Sequence, residues 1–295
     1  MSGVSAADDG VRVHLNGALL PLAQAHIHPL DRGFIFGDGV YEVIPVYGGH
    51  ALRLDAHLER LARSLALTRI PDPWPAGEWR WHLHALIAER GAVDQSIYLQ
   101  VTRGVAPRDH AFPDCTPTVF MMSRPLAAPP REQVERGLTA VLLDDIRWAH
   151  CDIKTTALLP NVLLRQQAVD AQAHEALLLR DGWLTEGAAS NAFVVIDGRL
   201  CTPPATSALL HGVTRQLLLD LAAAEGMPAE QRAIGATELG AAQEIWLSSS
   251  TREVLAVTRL QDAPVGEGTP GPLFRRLRAA FEGVKAEVRA GRGTP

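Results

Sequence analysis

Lysine is scarce in this chain, and the scarcity marks one position. There are 28 Lys and Arg residues, yet only Lys154 and Lys285 are lysines. Arginine keeps its proton under all ordinary conditions. A desolvated lysine can become a neutral amine, attack a carbonyl and form a Schiff base. Lys154 lies in "CDIKTT", beside Ile153 and before the apolar "ALL". A leftover from arginine-rich drift would look the same. Lys285, in "EGVKAEV", reads as part of a solvated helix face.

Other residues could assist such an amine, and each also has a plainer reading. Gly212 leads into a helical stretch whose first amides, at Val213 and Thr214, would be free to bind an anion; every helix start shares this property. Ser248, Ser249, Ser250 and Thr251 follow an apolar strand and suit phosphate contacts, or form an ordinary polar turn. Glu186 in "LTEGAASN" stands beside small residues, as if a flat group packed there, or is a solvated turn residue. Arg108 and His110, in a Pro-bounded loop with Arg103, could grip a carboxylate, or could be surface charges. His26 and His28 alternate on one strand face but lack a third metal ligand, so no metal site is expected.

A reactive amine, a phosphate site and a lone carboxylate together suit pyridoxal 5'-phosphate. The rival motifs are missing: no G-x-G-x-x-G, Walker loop, H-E-x-x-H or G-x-S-x-G is present.

The elements that must position these groups follow from local pattern. Val11, Val13 and Leu15 alternate up to Asn16-Gly17, which predicts a hairpin. Leu58, Leu61 and Leu65 share one face of an amphipathic helix, with Arg60 and Arg63 elsewhere. "SIYLQVTRG" and "PTVFMMSR" predict strands, and the proline-rich residues 124–133 a linker. Then come the strand "GLTAVLLDDIRW", a helix after Pro160, strand pairs turning at Asp181-Gly182 and Asp197-Gly198, and a helix between Gly212 and Gly226. Strands in "EIWLSSSTREVLAVTRL" and a final amphipathic helix in "PLFRRLRAAFEGV" complete the chain. The expectation is a mixed α/β (α+β) fold. A smaller N-terminal domain (1–123) is joined by the linker (124–133) to a larger C-terminal domain (134–295).

Bulk numbers limit the partners. At 295 residues two domains are expected, and 47% hydrophobic content is ordinary for a globular chain. A net charge of −5 with no basic block gives no general attraction to nucleic acid or anionic membranes. Three cysteines without C-x-x-C spacing fit a reducing compartment, so a cytoplasmic location is expected. The start reads as no signal peptide, and no apolar run approaches the ~20 residues of a membrane span.

"DRGFIFGDGVYEV", "HLERL", "VTRG", "TEGxxSN", "GVTR" and the Ser/Thr run before Glu253 occur in order over residues 11–282. In this joint order they resemble the fold-type IV pyridoxal-phosphate enzymes, and "RGVAPRDHAFP" with "DDIRWAHCDIK" is most similar to the bacterial D-amino acid aminotransferases. The resemblance implies that Lys154 carries the Schiff base and that Glu186 partners the pyridine nitrogen. It assigns Arg60, Val213, Thr214, Ser249 and Ser250 to the cofactor, and Tyr41, Arg108 and His110 to the substrate carboxylate. Arg147 matches an arginine beside the site. The arginine-histidine loop comes from the other subunit in that family, which implies a homodimer. Ala188 and Ala189 stand where the pattern has serines, Ser250 where Thr is usual, and Phe34 where Tyr is common. The implied reaction is ping-pong transamination between D-amino acids and 2-oxo acids. Branched-chain L-amino acid or (R)-amine transamination, and an aminodeoxychorismate-type lyase, are the alternatives within the fold.

Overall fold

The computed structural model describes residues 11–292, which divide into two compact units. The first holds the described residues up to Ala127, the segment Ile153–Leu158, and the chain from Glu287 onward. The second holds Ala128–Asp152 and Leu159–Ala286.

The first unit is built on a six-stranded antiparallel sheet. Its strands are β1 (Arg12–Leu15), β2 (Ala18–Pro21), β3 (Gly39–Tyr47), β4 (His50–Ala51), β5 (Gln95–Thr102) and β6 (Thr118–Pro125), in the order β2-β1-β6-β5-β3-β4. The β1–β2 turn puts Asn16 and Gly17 at φ 49° and 91°, the left-handed pair that a two-residue hairpin needs. Helix α1 (Arg32–Phe36) is capped by Asp31, whose side chain accepts from the Gly33 N–H. Helices α2 (Leu54–Thr68) and α3 (Ala76–Arg90) cover the sheet. Leu58, Leu61 and Leu65 of α2 are buried against Val40, Ile44 and Leu99. Arg60 departs from its expected place away from the buried face. It is as buried as those leucines, because a buried carboxylate on β3, Glu42, receives it.

The boundary between the two units, at Ala127–Ala128, falls inside the proline-rich residues 124–133, whose ends belong to regular elements. Strand β6 continues through Pro125, and helix α4 (Arg131–Arg136) starts directly after Pro130. Proline is tolerated at a strand end and before a first helical turn, so these residues terminate elements. The residues from 134 onward also do not all lie in the second unit. Ile153–Leu158 runs along β3 of the first, through the Tyr41 N–H to Lys154 carbonyl bond (2.9 Å) and a Val40–Thr155 bridge.

The second unit is a nine-stranded mixed sheet. It contains β7 (Leu138–Asp144), β8 (Glu175–Arg180), β9 (Trp183–Gly187), β10 (Asn191–Ile196), β11 (Arg199–Thr202), β12 (Ala229–Gln231), β13 (Glu244–Ser249), β14 (Glu253–Leu260) and β15 (Ala263–Pro264). Helix α5 (Leu159–Asp170), with Pro160 in its first turn, links the parallel pair β7 and β8. The β8–β9 and β10–β11 hairpins turn at Asp181-Gly182 and Asp197-Gly198, all at positive φ. Helices α6 (Val213–Ala224), α7 (Ala236–Gly240) and α8 (Pro272–Arg289) complete the unit, α8 entering the first at Glu287. Trp246 is fully buried between Phe193 and Phe274.

Candidate active site

In the first unit, two threonines fix the lysine segment. The Thr155 and Thr156 hydroxyls donate to the Gly39 carbonyl at 3.1 and 3.2 Å, and the Thr156 N–H donates to it at 2.9 Å. The Lys154 N–H reaches Ser64 Oγ at 3.4 Å. The Lys154 amine lies 4.1 Å from the centre of the Tyr41 ring. Among the described residues it forms no ion pair with a carboxylate.

Side chains alternate across a strand, so Tyr41 and its neighbour Glu42 leave β3 on opposite faces. Tyr41 is half-buried. Glu42 is fully buried and takes Arg60 through two nitrogens, at 2.7 and 2.8 Å, and His57 Nδ1 at 2.7 Å. Burial pushes the Glu42 carboxyl up, but Arg60 and His57 outweigh it and hold the group below the usual carboxylate range. The same burial lowers His57, against the pull of Glu42.

The loop bearing Arg108 and His110 also belongs to the first unit, and both residues are exposed. They meet at one ring: the Arg108 guanidinium carbon is 5.3 Å, and the His110 ring 5.4 Å, from the Phe36 centroid. Arg32 ties the loop down through the Asp109 carbonyl and, at 3.4 Å, the Ala111 carbonyl. Arg103 is buried, not a free loop charge. It forms a two-point pair with Asp38 at 2.8 and 3.0 Å and lies 3.8 Å from the Phe112 ring centre.

The second unit carries the carboxylate. Glu186, on β9, is only 5% exposed and is ringed by donors. Arg147 pairs with Oε1, Asn191 Nδ2 donates to Oε2 at 2.9 Å, and the Leu210 N–H reaches both oxygens at 3.1 and 3.2 Å. Arg147 is itself clamped by Asp145 at 2.9 Å through Nε and through Nη2. Burial pushes the Glu186 carboxyl up to about 7, while Arg147 and the Leu210 N–H pull it down. A carboxylate accepts about four hydrogen bonds; three donors supply them here, and the Leu210 N–H, divided between both oxygens, can settle on one and free a position for another donor, such as a protonated ring nitrogen.

Two further groups in this unit fit a phosphorylated ligand. Gly212 caps α6 without a side-chain bond, leaving the first amides of the helix, at Val213 and Thr214, without intrahelical partners. A Cβ on Gly212 would fall 2.0 Å from Asn191 Oδ1, so only glycine lets α6 start against the residue that steadies Glu186. Ser248 Oγ is buried and has no partner, and Ser248 sits opposite Asn191 in the β10–β13 register. Ser249 and Ser250 follow it, half-buried. Among the described residues no cluster of three or more His, Cys, Asp or Glu could hold a metal.

Arg147's bond to Glu186, the Asn191 and Leu210 donors and the orphaned Ser248 were not readable from spacing. Each depends on contacts between elements far apart in sequence.

The chain matches the family described as amino-transferase class IV over residues 39–260. It is 39% identical to the D-alanine aminotransferase of Bacillus licheniformis over 92% of this chain and 96% of that one. It is 36% identical to the D-alanine aminotransferase of Listeria monocytogenes serotype 1/2a (strain 10403S), over 92% and 95%. The Escherichia coli branched-chain amino acid aminotransferase superposes with a TM-score of 0.89 at 26% identity, covering 93% of this chain and 94% of that one. A branched-chain amino acid aminotransferase from T.th., solved with pyridoxamine 5'-phosphate, gives 0.88 at 25%, covering 96% and 95%. This chain therefore belongs to the class IV aminotransferases, a family of pyridoxal-phosphate enzymes with the fold-type IV architecture.

Proposed function

We propose that this aminotransferase moves the amino group between D-amino acids and 2-oxo acids, with Lys154 as the attachment point and proton carrier. The observation that carries the reading is the contrast in amines: Lys154 is half-buried on the Tyr41 ring without a carboxylate, and the other lysine is locked in a buried ion pair. The sequence relatives, D-alanine aminotransferases at 39% and 36% identity over 92% of the chain, favour D-amino acids.

When bound, pyridoxal phosphate supplies the carbonyl that takes up the amino group and a conjugated ring that spreads the electron pair left at the substrate's Cα. The protein's own residues do the rest. Glu186, steadied by Arg147, Asn191 and Leu210, accepts a hydrogen bond from the ring nitrogen and keeps it protonated. Lys154, released as a free amine, takes the proton from Cα and later returns one to the cofactor side. Val213, Thr214, Ser249 and Ser250 hold the phosphate, and Arg60, oriented by Glu42, adds a cation. Tyr41, Arg108 and His110 bind the substrate carboxylate.

The reading includes a homodimer. Phe34 and Phe112, 77% and 52% exposed, lie in the segments that flank the Arg108–His110 loop, an apolar surface suited to a second copy. It also includes a cytoplasmic location, which the three free cysteines favour. No helix of the described residues is long and apolar enough to cross a membrane.

The test is a panel of D- and L-amino acids with pyruvate or 2-oxoglutarate as acceptor. Turnover is expected with D-alanine and D-glutamate, and it should require the oxo acid. A preference for branched-chain L-amino acids would replace this reading with that of the solved neighbours, and turnover without an oxo acid would indicate a lyase.

A further inference from the structure

Strands β13 and β14 meet in a turn in which Ser249 pairs with Glu253 across Ser250, Thr251 and Arg252. A three-residue hairpin loop commonly closes on a residue in the left-handed region, where glycine costs nothing. Here that residue is Glu253, at φ 60°. A non-glycine residue persists there when its surroundings over-determine it.

Helix α8 supplies those surroundings. Glu253 is 2% exposed. Lys285 Nζ lies 2.5 Å from its Oε1, and Arg278 Nη2 donates to Oε2 at 3.0 Å. Arg278 also donates to the Val254 carbonyl at 2.6 Å, so it grips both side chain and backbone at the start of β14. Glu282 binds both cations, at 2.9 and 3.0 Å, which balances the charge. On the other limb the Arg252 N–H donates to Ser249 Oγ at 3.2 Å, and Arg252 Nη1 reaches Glu175 at 3.1 Å.

We propose that Glu253, Lys285 and Arg278 are positioning residues: they hold the 249–253 hairpin in the one conformation that presents Ser249 and Ser250 to the cofactor's phosphate. This rests on the reading of those serines as phosphate contacts. Hydroxyls bind an oxyanion well only when their spacing is fixed in advance. A carboxylate held by two cations of α8 fixes it at the end where β14 begins.

The test compares affinity for pyridoxal 5'-phosphate with affinity for pyridoxal, which lacks the phosphate, by spectroscopic titration of the full chain. Lys285→Met and Glu253→Gln should weaken the phosphorylated ligand by about tenfold or more, equivalent to ~1.4 kcal/mol, and leave pyridoxal nearly unchanged. Lys285→Arg, which keeps the cation, should recover part of the loss. Glu253→Gln keeps the shape of the side chain and carries the test if Lys285→Met does not fold. Equal losses for both ligands would overturn the proposal, since they indicate general destabilisation. The paired variant Ser249→Ala/Ser250→Ala separates the two ideas. If it lowers the ratio and the anchor variants do not, the anchor is wrong and the phosphate reading stands. If it leaves the ratio unchanged, the phosphate reading itself fails and takes the anchor with it.

Discussion

The two lysines occupy opposite electrostatic settings. Lys285 is 3% exposed and ion-pairs with two carboxylates, Glu253 and Glu282. Lys154 is half-buried, lies over the Tyr41 ring and pairs with no carboxylate among the described residues. A buried ammonium with paired carboxylates is a structural clamp, and losing one partner of such a pair costs about 3–5 kcal/mol. An amine that no carboxylate ties down is free to reach a carbonyl, which is what a nucleophile requires. On the proposed reading, the reactive amine is marked by the partners it lacks, since burial alone would have selected Lys285.

The sharpest way to break this comparison is Lys154→Arg. The charge stays and the reactive amine goes, so transamination should fall by about 10⁴-fold or more, with the thermal midpoint little changed. Borohydride reduction of the wild-type holoenzyme should fix the cofactor on Lys154, as read by peptide mapping. A label on Lys285 would reverse the assignment.

The buried glutamates repeat the contrast. Glu253 is paired with two cations from α8, whereas Glu186 has one cation, Arg147, and otherwise neutral donors, Asn191 and the Leu210 N–H. Glu186→Gln places an amide among the donors of Arg147, Asn191 and Leu210 and cannot hold a ring proton. Turnover should drop by about 10²- to 10³-fold while the cofactor remains bound, as seen in its absorbance. Near-normal turnover would reduce Glu186 to a structural residue.

Legibility in the sequence tracked distance along the chain. The hairpins at Asn16-Gly17, Asp181-Gly182 and Asp197-Gly198 were readable because a two-residue turn is specified by its own residues. The apolar stripe of α2 was readable because its period is local. Arg60 on that helix was misjudged, since its place depends on Glu42, a residue of a strand. Lys285 was misjudged for the same reason: helical periodicity gives a face, and the carboxylate that buries it lies 25–32 positions upstream of α8's cations. The Ser/Thr run was legible as a hydroxyl-rich turn. Which hydroxyl is buried, Ser248, depends on the β10–β13 register. Lys154 stands out by type, because arginine elsewhere makes it an exception.

A smaller effect is expected at the loop proposed to bind the substrate carboxylate. Arg108 and His110 are exposed and meet only at the Phe36 ring. Charge-assisted hydrogen bonds contribute roughly 1.5–3 kcal/mol. Arg108→Leu should therefore lower kcat/KM for D-alanine by about ten- to a hundredfold. An (R)-amine without a carboxylate should lose far less. Equal losses would assign the loop to folding or assembly and remove the support it gives to an amino acid substrate.

The last comparison sets Lys285 against another buried base. His14, on β1, is buried under α3, with its Nε2 2.9 Å from His82 Nδ1. Val13 and His14 leave β1 on opposite faces, yet both are buried, with α3 packed on one side of the strand. His82 Nε2 lies 3.8 Å from Glu78, while His14 Nδ1 is buried without a partner. The arrangement that orphans no N–H runs from Glu78 through His82 to His14 and leaves His14 Nδ1 as a bare lone pair. Protonating it would bury an N–H with no acceptor. Burial first, and repulsion from His82 second, push the His14 pKa from 6.5 down to about 4; burial lowers His82 as well. The folded state therefore refuses a proton that the unfolded chain accepts. Stability from His14 is complete above about pH 6.5 and is lost as the pH falls toward 4, by up to about 3 kcal/mol at ~1.4 kcal/mol per unit. Denaturant unfolding near pH 7.5 and pH 4.5 should show His14→Leu losing about 2–3 kcal/mol less than the wild type between the two. Equal losses would mean that other groups carry the acid sensitivity and that His14 is protonated in the fold.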